Sequence, residues 1–192
     1  MVFMVNEEHL VTQCLKKDRE AQRLLYRTYA GKMYGVCLRY VKDRTGADDI
    51  LQEGFIKVFE KLNTFKLQGS LEGWIRRIMV NTAINFIKKN VIYYADVDSE
   101  NLGNAELIED EAVSRLSVEE LVKLIGELPD GKRTVFNLYA YEGYSHKEIA
   151  TILNISESTS KSQYAKAKKM LQERLVALQK ETMTATVNNV GN

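Results

Sequence analysis

A single proline, Pro129, and only 11 glycines punctuate the 192 residues, so there are few points at which a helix is forced to stop. Long alternations of β-branched and polar residues are also missing, which removes the usual signature of half-buried strands. The two cysteines, Cys14 and Cys37, fall at apolar helical positions with neither a CxxC pattern nor a nearby histidine pair. They read as small buried hydrophobes rather than as a disulfide or a zinc site. His9 and His146 are the only histidines, and neither a metal nor another cofactor is implied. No apolar run approaches the roughly 18 residues needed to span a bilayer. The opening MVFMVNEEHL is too short and too acidic for a signal peptide. The expectation is a cytoplasmic protein without membrane insertion.

What is present favours helices. Hydrophobic residues make up 45% and charged residues 28%, an ordinary balance for a soluble globular protein. The net charge of +1 hides a polarity along the chain. Between Val91 and Glu120, Asp96, Asp98, Glu100, Glu106, Glu109, Asp110, Glu111, Glu119 and Glu120 face a lone cation, Arg115. Between Asn154 and Lys180, Lys161, Lys166, Lys168, Lys169, Arg174 and Lys180 outnumber Glu157 and Glu173. The acidic stretch has no sustained apolar period before about Leu116, and order is expected to resume at a Ser117–Glu120 capping box. The expected fold class is all-α: a helical domain over residues 1–92, an acidic flexible linker over 93–116 and a second helical domain over 117–181. A polar tail over 182–192 is expected to be disordered.

The most informative segment is SHKEIATILNISESTSKSQYAKAKKML, from Ser145 to Leu171. Ser145 and Glu148 form a capping box, Ile149, Ala150 and Leu153 share one face, and Asn154 suits a left-handed turn. Ser156 can cap a second helix, with Glu157 favourable to its dipole. At about 100° per residue, Tyr164, Ala167, Met170, Leu171, Leu175 and Leu178 form an apolar stripe opposite Ser158, Lys161, Ser162, Lys166 and Lys169. Charge alone would allow a solvated lysine face. The two capped helices in series around an Asn turn fit a helix-turn-helix whose second helix lies in a DNA groove. Ahead of it, Leu121, Leu124 and Ile125 give a helix stopping near Leu128–Pro129, and Val135, Phe136 and Tyr139 another ending near Gly143.

In the first half, Asn6 is a candidate cap for a helix burying Leu10, Val11, Cys14 and Leu15, and a longer helix from about Asp18 to Tyr40 includes Leu24, Leu25, Thr28, Met33 and Cys37 among its apolar or small positions. A third helix, opened by Thr45 and Asp48, carries Leu51, Phe55, Val58 and Leu62 on its core stripe. Asp49, Glu53, Ile56 and Glu60 cluster elsewhere on its wheel, a surface suited to docking a protein rather than DNA. A fourth helix, about Leu71 to Lys89, buries Leu71, Trp74, Ile75, Ile78, Thr82 and Phe86. It sets Arg77, Asn81 and Lys88 on the other side, with Asn85 nearer the apolar edge. Beside the polar loop Asn63 to Ser70, such amides can hold a splayed base by its Watson–Crick edge.

Three blocks in order, DDILQEGFIKVFEKL, GWIRRIMVNTAINFIKK and ELPDGKRTVFNLYAYEGYSHKEIATILNISESTSKSQYAKAKKMLQERL, separated by the acidic stretch, resemble an extracytoplasmic-function (group four) sigma factor of bacterial RNA polymerase over about residues 10 to 178. The resemblance implies two domains, a sigma region 2 bundle and a sigma region 4 helix-turn-helix domain, which direct core polymerase to promoters and help open the DNA. It implies that Asp48, Asp49, Gln52, Glu53, Phe55 and Ile56 belong to a helix that docks on the clamp helices of the largest polymerase subunit, and that the polymerase flap is a further contact. It implies minus-ten recognition by Lys66, Gln68, Arg77, Asn81, Asn85 and Lys88. It assigns the minus-thirty-five element to Ser158, Thr159, Lys161, Ser162, Ala165, Lys166 and Lys169. An anti-sigma factor is the further partner implied, and the linker would thread toward the RNA exit path.

The chain departs from the family pattern where the reading helix usually begins GTVKSR. Here Ser158 and Ser160 replace the glycine and the buried valine, and lysines stand in for arginines. Ser160 then falls within the apolar stripe, where its hydroxyl is expected to bond a carbonyl one turn back. Two other readings stay open from the residues alone. One is a free-standing helix-turn-helix regulator binding operators as a dimer. The other is an enzyme using Asp48, Asp49 and Glu53 as metal ligands with His146 as base, although these carboxylates do not face one pocket on the wheel.

Overall fold

The computed structural model describes residues 6–90 and 118–190, and every regular element among them is helical. The chain divides into two compact units, Met1–Asn90 and Val91–Asn192. Ser117, and with it the capping box expected with Glu120, lies outside the described residues, as does most of the acidic stretch.

Unit 1 is built from α1 (Glu7–Leu15), α2 (Arg19–Leu38), α3 (Arg44–Lys61) and α4 (Leu71–Asn90), with a single 3-10 turn at Leu62–Thr64. Each start has a local cause. Asn6 Oδ1 accepts from the His9 amide at 3.1 Å, and Asp18 Oδ1 accepts from the Ala21 amide at 2.8 Å. The third helix is capped two residues ahead of Thr45, the start expected from sequence. Asp43 is its cap, accepting from the Gly46 amide at 2.7 Å, because a carboxylate in extended backbone both fills an orphan N–H and faces the positive end of the dipole.

The helices close on Leu25, Met33, Ile50, Val58, Leu62, Leu71, Ile75 and Met79, all essentially solvent-free. Each such side chain contributes roughly 1.5–3 kcal/mol relative to exposure. Leu25 and Cys37 enter this core, whereas Leu24 and Thr28 of the same helix face outward. Cys14 and Cys37 are buried and unpaired, and burial pushes the Cys37 thiol up to about 12. Where α3 meets α4, Gly54 lies against Met79. A Cβ on Gly54 would overlap the Met79 sulfur and stand 2.9 Å from its methyl group. Two polar ties complete the unit. Lys32 of α2 pairs with Glu72 of α4 at 2.5 Å. The Glu7 carboxylate accepts from the Tyr29 hydroxyl at 2.9 Å and from the Leu71 amide at 3.4 Å, which sets a negative charge at the start of α4.

Unit 2 contains α5 (Val118–Glu127), α6 (Asp130–Phe136), which continues as a π turn over Asn137–Tyr141, α7 (His146–Leu153) and α8 (Glu157–Val190). Its core joins Leu124, Ile125 and Leu128 to Ala167, Leu171 and Leu175, with Leu121, Phe136 and Met170 packed around them. Leu178, expected in the same stripe, is 38% exposed, at a point where α8 has run past this cluster. The backbone of α8 stays helical to Val190, where disorder was expected from Thr182; no glycine or proline interrupts it before Gly191.

Arg133 is the largest fully buried side chain of the unit. Its guanidinium donates to the carbonyls of Gly126 and Leu128 at 3.2 and 3.0 Å, and to Asp130 Oδ1 at 2.7 Å. It thereby satisfies the end of α5 from inside the protein, a task that suits a planar fork of donors.

Two stability outcomes follow. Gly54→Ala should lower the stability of unit 1 in urea denaturation, because overpacking costs about 1–3 kcal/mol against about 1 kcal/mol gained in helix propensity; a raised stability would contradict the close α3–α4 approach. Arg133→Lys should destabilise unit 2 by about 2 kcal/mol or more, since one ammonium cannot serve three separated acceptors, and a loss within a few tenths of wild type would show that the fork is dispensable.

Candidate nucleic-acid interface

On α3, Asp48, Asp49, Gln52 and Ile56 are all exposed, and Ile56 at 52% is an unusually open aliphatic side chain. Asp48, Gln52 and Ile56 follow one another at four-residue spacing, with Asp49 beside them, so the four share one arc. Glu53 differs. It is half-buried and holds Lys57 Nζ at 2.6 Å, while the same ammonium reaches Thr82 Oγ1 at 3.4 Å. The hydrogen bond from Lys57 is the main reason its carboxyl sits below the usual range.

The fourth helix presents Arg77, Asn81, Asn85 and Lys88 on its exposed side, at spacings of four, four and three residues, which is one continuous arc. Thr82 turns inward and donates to the Ile78 carbonyl at 2.8 Å. Preceding α4, the loop exposes Lys66 and Gln68 on either side of Leu67. Leu67 has a φ of 56° and is 47% exposed. A left-handed leucine costs on the order of 1–2 kcal/mol, and nothing in the sequence pattern announced it. Phe65, packed on Trp74 at 5.5 Å between ring centres, anchors the loop to α4.

Sequence reading also missed a shallow groove lined by Arg19, Gln22, Arg23, Tyr26 and Arg27 of α2 with Phe59 of α3. The arginines recur every four residues on a helix whose core stripe dominated the pattern.

In unit 2 the helix-turn-helix forms as its residues dictate. The Ser145 amide donates to Glu148 Oε2 at 2.8 Å and the Glu148 amide to Ser145 Oγ at 3.3 Å, completing the capping box. Asn154 takes φ 57° and ψ 48°, and the Ile155 amide returns to the Ala150 carbonyl at 3.0 Å. Ser156 Oγ then accepts from the Thr159 amide at 3.0 Å and groups with the hydroxyls of Ser158 and Thr159 at 2.7 and 2.8 Å. Ser158, Lys161 and Lys169 are exposed, whereas Thr159, Ser162, Ala165 and Lys166 are half-buried. Lys161 pairs with Glu157 at 2.7 Å, both well exposed, and that pairing lowers the Glu157 carboxyl. Exposed pairs of this kind are weak, so a phosphate can displace the carboxylate.

Ser160 behaves otherwise than expected. It is fully buried, and its Oγ lies 2.9 Å from His146 Nδ1 rather than bonding a carbonyl one turn back. The imidazole stacks on Tyr139 with ring centres 4.4 Å apart at 12°, and meets Tyr164 edge-on at 5.8 Å. Burial, then the neighbouring Lys161, lowers the His146 pKa, while Glu157 opposes that shift. His146 is thus committed to a packed helix crossing. Among the described residues, no group of three or more His, Cys, Asp or Glu side chains could hold a metal ion, and no helix is long and apolar enough to cross a membrane.

Comparison with known proteins agrees with this geometry. Residues 25–91 match the family described as Sigma-70 region 2, and residues 118–171 match Sigma-70, region 4. The ECF RNA polymerase sigma factor SigX of Bacillus subtilis is 30% identical, covering 85% of this chain and 88% of the relative. SigW of the same organism is 30% identical over 86% and 94% of the two chains. The RNA polymerase sigma-H factor of Pseudomonas aeruginosa is 29% identical over 94% and 100%. Among solved structures, the sigma factor RpoE of Bartonella quintana, crystallised with the anti-sigma factor NepR, gives a TM-score of 0.48 at 19% identity, covering 81% of this chain and 96% of that one. With both sigma regions present in order, and relatives at 30% identity matched over most of their own length, the chain belongs to the extracytoplasmic-function sigma factors of RNA polymerase, a family of promoter-specific transcription initiation factors.

Proposed function

We propose that the three exposed arcs divide the work of promoter opening. The α3 arc of Asp48, Asp49, Gln52 and Ile56, with Glu53 at its edge, docks on the clamp helices of the largest polymerase subunit, and unit 2 meets the flap. The arc of Arg77, Asn81, Asn85 and Lys88, together with Lys66 and Gln68, receives the melted minus-ten strand. The start of α8, with Ser158, Thr159, Lys161, Ser162, Ala165, Lys166 and Lys169, reads the minus-thirty-five duplex. The observation that carries this reading is the segregation of chemistry: carboxylates with an open isoleucine on α3, amides with cations on α4, and hydroxyls with lysines on α8.

Each arc suits its assigned target physically. Amides read the edges of unstacked bases, and capturing one base offsets the few kcal/mol, roughly, that unstacking costs. Lysines release counterions from phosphates, and hydroxyls at a helix start reach base edges in the major groove. No bond is made or broken by the protein in this scheme; it supplies binding free energy at two promoter elements held at fixed spacing. Working with polymerase on chromosomal DNA makes it cytoplasmic. An anti-sigma factor would hold it inactive, as the family resemblance implies.

Single substitutions separate the roles. In holoenzyme formed with core polymerase, Asn81→Ala should impair DNA opening and binding to forked minus-ten templates while leaving upstream duplex binding near wild type. Lys161→Ala should do the reverse, and should reduce the slope of log affinity against log salt by about 1. Equal effects of both changes on closed-complex formation would overturn the division.

A further inference from the structure

We propose that His146 is a positioning residue for duplex reading: its bond to Ser160 fixes the crossing of α7 on α8, and with it the presentation of Ser158 and Lys161 to the groove. The inference rests on the assignment of the minus-thirty-five element to α8. It concerns a residue at which this chain departs from the family pattern, Ser160 in place of a valine, and the partner that residue finds.

Ile149 and Leu153 of α7 are buried and supply apolar contacts. Contacts of that kind have no direction and tolerate small slides of one helix along the other. The His146–Ser160 bond does not tolerate them. Ser160 is 0% exposed, its Oγ sits 2.9 Å from Nδ1, and a slide of an ångström leaves a buried hydroxyl without its partner.

The imidazole is itself held on three sides. The Ser145–Glu148 capping box fixes the backbone of the first turn of α7. Tyr139, from the π turn, stacks flat on the ring, and Tyr164, from α8, meets its edge while also packing on Tyr139 at 4.5 Å. A ring pinned by two tyrosines and a capping box is a fixed reference, and Ser160 is registered against it. Ser160 lies one residue from both Thr159 and Lys161 on the same helix, so any rotation that relieves it turns the DNA-facing arc as well.

The test uses the full-length chain in holoenzyme, with promoter fragments carrying an intact or a scrambled minus-thirty-five element and, separately, a minus-ten fork. His146→Phe keeps the ring stack but removes Nδ1, stranding the Ser160 hydroxyl. It should lower the preference for the intact over the scrambled element about five- to tenfold, with fork binding unchanged. Removing both polar partners in H146F/S160A relieves the stranded hydroxyl but restores no directional tie, so the preference should stay as low as in H146F. His146→Asn, which offers a side-chain amide near the place of Nδ1, should retain more preference than Phe. Recovery of the preference in H146F/S160A, or an undiminished preference in H146F, would overturn the proposal, as would a loss of affinity shared by intact and scrambled DNA alike. A wild-type holoenzyme that shows no preference between the two fragments would instead overturn the duplex-reading assignment, and this inference with it.

Discussion

An amphipathic helix has one stripe to hide, and once that stripe is packed the opposite arc is free of structural duty. Both units rest on this constraint. The α3 stripe of Leu51, Phe55, Val58 and Leu62 is buried and leaves Asp48, Asp49, Gln52 and Ile56 in solvent. In α4, Leu71, Ile75, Met79, Thr82 and Ala83 go inward and leave Arg77, Asn81, Asn85 and Lys88. In α8, Ala167, Leu171 and Leu175 bind the helix to α5 and leave Ser158, Lys161 and Lys169. Three outward arcs of different chemistry are therefore obtained from the same packing rule, and what distinguishes them is side-chain choice rather than fold.

Signals that act within about four residues were legible in the sequence. The Ser145–Glu148 box, the left-handed Asn154 and the Ser156 cap all formed as the residues suggested, because each is a bond between near neighbours. The core stripes followed for the same reason, being a property of one helix at a time. Pairings between helices were not legible. Ser160 found His146 across 14 positions, and Glu7 reached the start of α4 across 64. The buried role of Arg133, whose carbonyl acceptors lie at the end of the preceding helix, was likewise invisible to periodicity. The Asp43 cap is a local signal too, but Thr45 and Asp48 offer competing starts two and five residues on.

The charge pattern has a consequence for binding as well as for fold. Exposed pairs such as Glu157–Lys161 and Glu20–Arg23 are within hydrogen-bond distance, yet solvent makes them weak and exchangeable. A cation held loosely by a neighbouring carboxylate stays oriented in the free protein and can be surrendered to a phosphate at small cost. The near-zero net charge then coexists with a basic α8, since the compensating carboxylates are concentrated in the Val91–Glu120 stretch. On the proposed assignment, lysine rather than arginine along α8 would give point-charge contacts in place of planar, bidentate ones. Phosphate attraction by such contacts is indifferent to sequence and would leave discrimination to the hydroxyls and to the angle at which α8 is held.

The central claim is that this chain selects promoters as a subunit of polymerase. The most direct measurement combines the purified protein with core polymerase and a promoter library and maps the transcript starts. The account predicts that the protein binds core and imposes a distinct set of start sites, each preceded by a shared pair of elements at constant spacing. Absence of core binding and of start-site selection, together with tight duplex binding by the isolated protein, would contradict it.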